Sequence, residues 1–67
     1  MKVVVNSEEV SVEDSTTLAL ALEHLQIDAA VGTAVAVNRR VVPREQWQAH
    51  QLEAGADIVV LKATQGG

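Results

Sequence analysis

Gly66 and Gly67 close the chain, and of all its residues they have the clearest chemical use. Glycine has no side chain, so a narrow channel can admit this backbone and reach the carboxylate of Gly67. A free terminal carboxylate has a pKa of about 3.3–3.7 and is ionised at neutral pH. Its charge repels nucleophiles, so it must be activated before it can accept a new group. Thr64 and Gln65 complete a tail at residues 64–67. The other reactive side chains form no recognisable site. Ser, His and Asp all occur, but no nucleophile-elbow pattern joins them. His24 and His50 are far apart, and neither has a partner at metal-ligand spacing. Both are expected on the solvated surface, and no metal is expected. Cysteine is absent, which excludes a thiolate nucleophile, a disulfide and a cysteine metal site. No glycine-rich phosphate loop is present, so the chain is not expected to bind ATP or another cofactor itself.

A tail of this kind needs a body to present it. Sixty-seven residues make one small domain, and a domain near this size buries only about 60% of its unfolded surface. Its core is drawn from twelve Val, six Leu, two Ile and Trp47. Valine dominance favours sheet, because β-branched side chains suit a pleated surface. Phe and Tyr are absent and the net charge is -4. Both facts argue against nucleic acid, and the charge argues against anionic membranes. A basic protein surface is the better complement. No secretory signal or transmembrane run is recognisable, so the expected location is cytoplasmic.

The elements follow from periodicity. Lys2-Val3-Val4-Val5-Asn6 is expected as a strand, Asn6-Ser7-Glu8-Glu9 as a turn and Glu9-Val10-Ser11-Val12-Glu13 as a second strand. Asp14-Ser15-Thr16-Thr17 supplies helix N-cap residues. Leu18, Ala21, Leu22 and Leu25 then form one apolar stripe of a helix ending near Leu25 or Gln26, with Leu20 facing away. A loop over residues 27–32 is closed by Gly32. Ala34-Val35-Ala36-Val37-Asn38 alternates as a third strand, Arg39-Arg40 is the expected tip, and Val41-Val42 returns. Pro43 cannot donate a ladder hydrogen bond, so this strand should lie at an edge or stop there. Arg44-Glu45-Gln46-Trp47 suits one 3₁₀ turn. After a turn at Gly55, Asp57-Ile58-Val59-Val60-Leu61-Lys62 is the last strand, apolar on both faces. The acidic pairs Glu8-Glu9 and Glu13-Asp14 are expected as solvated loops.

This order, with a helix packed on one face of a mixed sheet, predicts an α+β fold of the β-grasp or ubiquitin-like type. The first and last strands sit side by side at its centre. Residues 1–63 form the domain, and residues 64–67 leave it as a free tail. With Val3, Val5, Val35, Val37, Ile58 and Val60 pointing inward, alternation turns Val4, Ala36, Val59 and Leu61 outward. That exposed apolar patch beside the tail is expected to bind partners. Trp47 is expected to cap the core edge, its indole N–H bonded to a partner or water. Arg44 has several candidate roles, as a pair for Glu45, Glu53 or Asp57 or as a partner contact.

Val37-Asn38-Arg39-Arg40-Val41-Val42-Pro43-Arg44-Glu45-Gln46-Trp47 resembles a run characteristic of the sulfur carriers of thiamin (thiazole) biosynthesis, the ThiS family. The family pattern has a hydrophobic-Asn pair, two variable residues, a hydrophobic-Val-Pro-Arg run and a Trp. Gly55, the apolar last strand and Gly66-Gly67 extend the resemblance over the whole chain. Val5 departs from it by standing where an aromatic is common, and Thr64-Gln65 makes the tail more polar than in some relatives.

The resemblance implies a carrier and not an enzyme. The carboxylate of Gly67 would be converted with ATP into an acyl-adenylate, and a persulfide or sulfide would then displace AMP to leave a thiocarboxylate. An ubiquitin-activating-like adenylyltransferase is the implied first partner, holding the ATP and Mg²⁺. Thiazole synthase is the implied sulfur acceptor, and a cysteine desulfurase is one candidate donor. Three alternatives stand beside this. The small subunit of molybdopterin synthase uses the same ending, although that family is usually longer and lacks the Val-Pro-Arg-x-x-Trp run. A β-grasp interaction module with an incidental Gly-Gly ending is the second. A ubiquitin-like modifier would pass the same acyl-adenylate to a lysine.

Overall fold

The computed structural model describes residues 1–27 and 32–62. Strands β1 (Lys2–Val5) and β2 (Glu8–Ser11) form an antiparallel hairpin with Val3 opposite Val10. Helix α1 (Leu18–His24) follows, then β3 (Thr33–Val37) and β4 (Arg40–Val41). A 3₁₀ turn at Arg44–Gln46 precedes β5 (Asp57–Lys62). The sheet order is β2-β1-β5-β3-β4. β5 runs parallel to β1 and antiparallel to β3, so the sheet is mixed and β5 is central. β4 lies at the edge and stops before Pro43, where the missing N–H costs no ladder bond.

Several boundaries differ from the sequence expectation. β1 ends at Val5 because Asn6 and Ser7 both take positive φ, 50° and 68°, and turn the chain within two residues. Glu8 and Glu9 therefore lie in β2, not in a loop. In the second hairpin the tip is Asn38-Arg39, with φ of 52° and 71°, not Arg39-Arg40. Arg40 pairs with Val37 inside β4, and Val42 lies beyond the strand. Two positive φ values in a two-residue loop match the right-handed twist of the strands, and asparagine tolerates the first of them well. The helix stops at His24, with Leu25 as its C-cap and Gln26 at φ 58°.

Alternation sorts the strands as the sequence requires. Val3, Val5, Val35, Val37, Ile58 and Val60 are all buried, and Leu18, Ala21 and Leu22 of α1 pack with them in one core cluster. Val12, Val42, Trp47, Leu52 and Ala56 close its margins. Each fully buried aliphatic side chain contributes about 1.5–3 kcal/mol. The Trp47 indole Nε1–H donates to the Val42 carbonyl at 2.8 Å, so this N–H is satisfied within the chain. Gly55 turns the chain into β5 at φ 82°, and Gly32 enters β3 at φ 94°. Asp14 is not simply solvated, because the Met1 ammonium donates to its carboxylate at 2.8 Å.

Candidate functional site

The sheet face opposite α1 is built from alternate residues of four strands. Ala36 pairs with Val59, Ala34 with Leu61, and Ala36 again with Val41 on its other side. Val4 is in register with Asp57, two residues before Val59 on the same face. Val4, Ala36 and Val59 are half-buried, while Leu61 is 62% exposed. The structure thus brings four of the sequence-derived contact residues onto one continuous face. It adds a fifth, Val41, which is 70% exposed and more open than any other large hydrophobic side chain described. Val41 was legible in principle: its neighbour Val42 is buried, and alternation turns Val41 the other way. Two adjacent valines hide that choice until the register of the hairpin is known.

Arg44 belongs to a different neighbourhood. Its guanidinium carbon lies 4.7 Å from the centroid of the Trp47 ring, a cation–π arrangement. The Trp47 carbonyl accepts from the Ala19 N–H at 3.0 Å, which places this turn on the helix side of the sheet. This stacking on Trp47 is a role that the sequence reading of Arg44, as a pair for Glu45, Glu53 or Asp57 or as a partner contact, did not include.

Polarity frames the outer face. Lys2 and Glu9, both exposed, approach within 3.4 Å beyond Val4, and Asp57 stands at the start of β5. Exposed ion pairs of this kind contribute at most about 1 kcal/mol. Leu61 and Lys62 end β5, and the chain continues as Ala63-Thr64-Gln65-Gly66-Gly67. The four tail residues expected to meet partner enzymes, Thr64, Gln65, Gly66 and Gly67, lie outside the described residues, as does the expected boundary after residue 63. Among the described residues no group of three His, Cys, Asp or Glu side chains is placed to hold a metal ion. No helix among them is long and apolar enough to cross a membrane. His24 is exposed and His50 half-buried, 26 positions apart in the chain.

A helix on one face of a five-stranded mixed sheet, with parallel first and last strands at its centre, defines a β-grasp protein. The chain belongs to the ThiS family, whose model matches residues 1–67. It is 33% identical over 67 residues to the sulfur carrier protein ThiS of Escherichia coli (strain K12), with all of both chains covered. It is also similar to the crystal structure of the thiamine biosynthesis protein ThiS from Geobacter metallireducens. That match has a TM-score of 0.85 and 26% identity over the full length of both chains. A solution structure of a thiamine biosynthesis protein from the same organism matches with a TM-score of 0.77 and 26% identity, over 100% of this chain and 88% of the other. The family consists of small sulfur carriers in thiamin biosynthesis, which are carriers and not enzymes.

Proposed function

We infer that this chain carries sulfur on the carboxylate of Gly67 for thiazole formation in the cytoplasm. The observation that supports the reading most directly is the position of β5. The central strand of the sheet ends at Lys62, directly before the Ala63–Gly67 sequence, and its last residues lie on an outer face bearing exposed Val41 and Leu61. One enzyme surface can therefore grip the face and thread the tail together. In the first step a Gly67 carboxylate oxygen attacks the α-phosphorus of ATP, and pyrophosphate leaves. The activating enzyme, of the ubiquitin-activating-like class, supplies the ATP and Mg²⁺ sites. In the second step sulfide attacks the acyl carbon and AMP leaves with the bonding pair, giving the thiocarboxylate. If a persulfide is the donor, such as one formed on a cysteine desulfurase, a thiol must then reduce the acyl disulfide. The thiocarboxylate sulfur is nucleophilic and is passed to an electrophilic carbon on thiazole synthase.

Within this scheme the side chains of the carrier perform no chemistry. They hold β5 and offer a surface. The outer face is the docking surface through Val4, Ala36, Val41, Val59 and Leu61, with Arg44 a contact only for a partner that extends past the β4 edge. Intact mass spectrometry tests the reading. The chain is incubated with the cognate activating enzyme, ATP and a sulfur source. A gain equal to one sulfur replacing one oxygen, localised to Gly67, is expected. An unchanged mass while the activating enzyme consumes ATP would overturn it. Transfer to a lysine instead would appear as a mass gain on a second protein and would assign the chain to the modifiers.

A further inference from the structure

Helix α1 leaves one face uncovered, and that face is not uniformly polar. Leu20 lies on it and is 56% exposed, although Leu18, Ala21 and Leu22 of the same helix are buried. A single exposed leucine is ordinary on a protein surface. Leu20, however, forms the wall of a groove of about 330 Å³ between α1 and the segment that follows β2. Buried Val12, Thr16 and Ala21 lie beneath it, and exposed Glu13, Glu23 and His24 stand on its rim. No Lys or Arg lines the groove. Its charge is part of a wider asymmetry, because residues 3–38 hold Glu8, Glu9, Glu13, Asp14, Glu23 and Asp28 and no Lys or Arg at all. Apart from the Met1 ammonium and Lys2, the Lys and Arg residues of the chain all lie at residue 39 or beyond.

We propose that this groove is a second docking surface, for an extended segment of a partner protein that carries an arginine or lysine next to an aliphatic side chain. The aliphatic group packs on Leu20 above Val12, and the cation meets Glu13 and Glu23. Charge complementarity selects this occupant, since the acidic rim repels an acidic segment and a purely polar one leaves Leu20 uncovered. Asp14 does not compete for the cation, because its carboxylate is engaged by the Met1 ammonium at 2.8 Å. The helix covers the inner face of the sheet, so the groove and the Val41–Leu61 face look in opposite directions. One carrier can hold two proteins at once, one at each surface. This inference does not depend on the chemistry assigned to Gly67.

The test uses the full chain, labelled with ¹⁵N, and a synthetic peptide of alternating arginine and leucine. Amide shifts are expected to centre on Glu13, Leu20, Glu23 and His24. Affinity should fall about tenfold in Leu20→Ser and in the Glu13→Lys/Glu23→Lys double variant, a loss of about 1.4 kcal/mol. It should also fall several-fold between about 50 and 300 mM salt, because the shorter Debye length weakens the attraction of the exposed rim carboxylates for the cation. Leu61→Asp should leave it unchanged. These substituted positions are exposed, so the variants should keep dispersed spectra like that of the parent. Equal binding of an arginine-serine peptide would reduce the groove to general charge attraction and overturn the proposal. Shifts spread over every exposed carboxylate, shifts confined to the outer sheet face, or unchanged affinity in Leu20→Ser would overturn it as well.

Discussion

Asn6 and Asn38 hold the same place in two hairpins, and both reach across to the same strand. Each is the first residue of a two-residue turn with positive φ. The Asn6 side-chain oxygen accepts from the Val60 N–H at 2.9 Å, and the Asn38 oxygen accepts from the Asp57 N–H at 3.0 Å. Their own N–H groups donate to the carbonyls of Ile58 and Asp57. Asparagine is suited to this because it tolerates the left-handed region and carries a short acceptor. Replacing Asn6 separates the two contributions. Asn6→Gly keeps the turn but leaves the Val60 N–H without its acceptor, and should cost about 1–2 kcal/mol. Asn6→Ala adds the steric cost of positive φ and should lose roughly 1 kcal/mol more. Urea denaturation of the two variants measures both, and equal midpoints would show that φ at Asn6 carries no strain. The turn propensity of Asn6 is local and was legible in the sequence, whereas Asn38 was read as the last residue of a strand. Their partners were not legible, because Val60 lies 54 residues from Asn6. Asp14 makes a comparable long-range bond to Met1. The hydrogen bond from the Met1 ammonium, and then its charge, hold this exposed carboxyl below its ordinary value of 3.8. A folded value below the unfolded one gives stabilisation that is present above 3.8 and lost as pH falls through the lowered value. Unfolding midpoints measured across that acidic range should therefore fall more steeply for the parent than for Asp14→Asn, by an amount kept small by solvent screening.

At the scale of elements, α1 is the piece that most needs its surroundings. Seven residues are too few to form a stable helix in water. Its first free N–H groups are instead taken up by other parts of the chain. Leu18 donates to the His50 carbonyl at 2.8 Å and Ala19 to the Trp47 carbonyl at 3.0 Å. Leu20 donates to the Thr17 hydroxyl oxygen at a longer 3.3 Å. The segment after the 3₁₀ turn thus acts as a backbone cap, and Trp47 fixes that segment by its bond to the Val42 carbonyl. Trp47→Phe should retain most of the apolar burial, leave the buried carbonyl unpaired and cost about 1–3 kcal/mol in chemical denaturation. Hydrogen exchange should then quicken at Leu18 and Ala19, and unaltered exchange there would detach the helix start from Trp47. The Thr17 cap was legible because a Ser/Thr cluster precedes the apolar stripe. The carbonyl caps were not, since no side chain announces a backbone acceptor. The strands were legible for a related reason: each longer one carries a local signal, period-two alternation in β2 and β3 and a continuous valine-rich run in β1 and β5. Hairpin register was read one residue late, because two adjacent arginines resemble a solvated tip more than Asn38-Arg39 does.

Over the whole molecule, the sheet separates two surfaces of different character. The outer face is apolar along Val41, Ala36 and Val59, with Leu61 beside Ala34 next to the end of β5. The helix side combines Leu20 with carboxylates. A carrier that visits more than one enzyme must be recognised quickly and released, so a modest apolar face that leaves the core untouched suits it better than a deep socket. The interface and the fold are then separable in measurement. Leu61→Asp and Val41→Asp alter side chains that are 62% and 70% exposed, so each should change stability by less than about 0.5 kcal/mol. Placed against an apolar enzyme surface, the same carboxylate is desolvated without a partner and should cost about 2 kcal/mol or more of binding. Steady-state adenylation should therefore show KM for the carrier raised at least about tenfold in each variant, while thermal unfolding stays at the parent value. Deleting Gly67 should do the reverse of a docking defect: the carrier still competes with the parent for the activating enzyme but accepts no sulfur. If Val41→Asp were adenylated normally while Leu61→Asp was not, the docking face would end at β3, and the enzyme would approach along β5 from the side of β1.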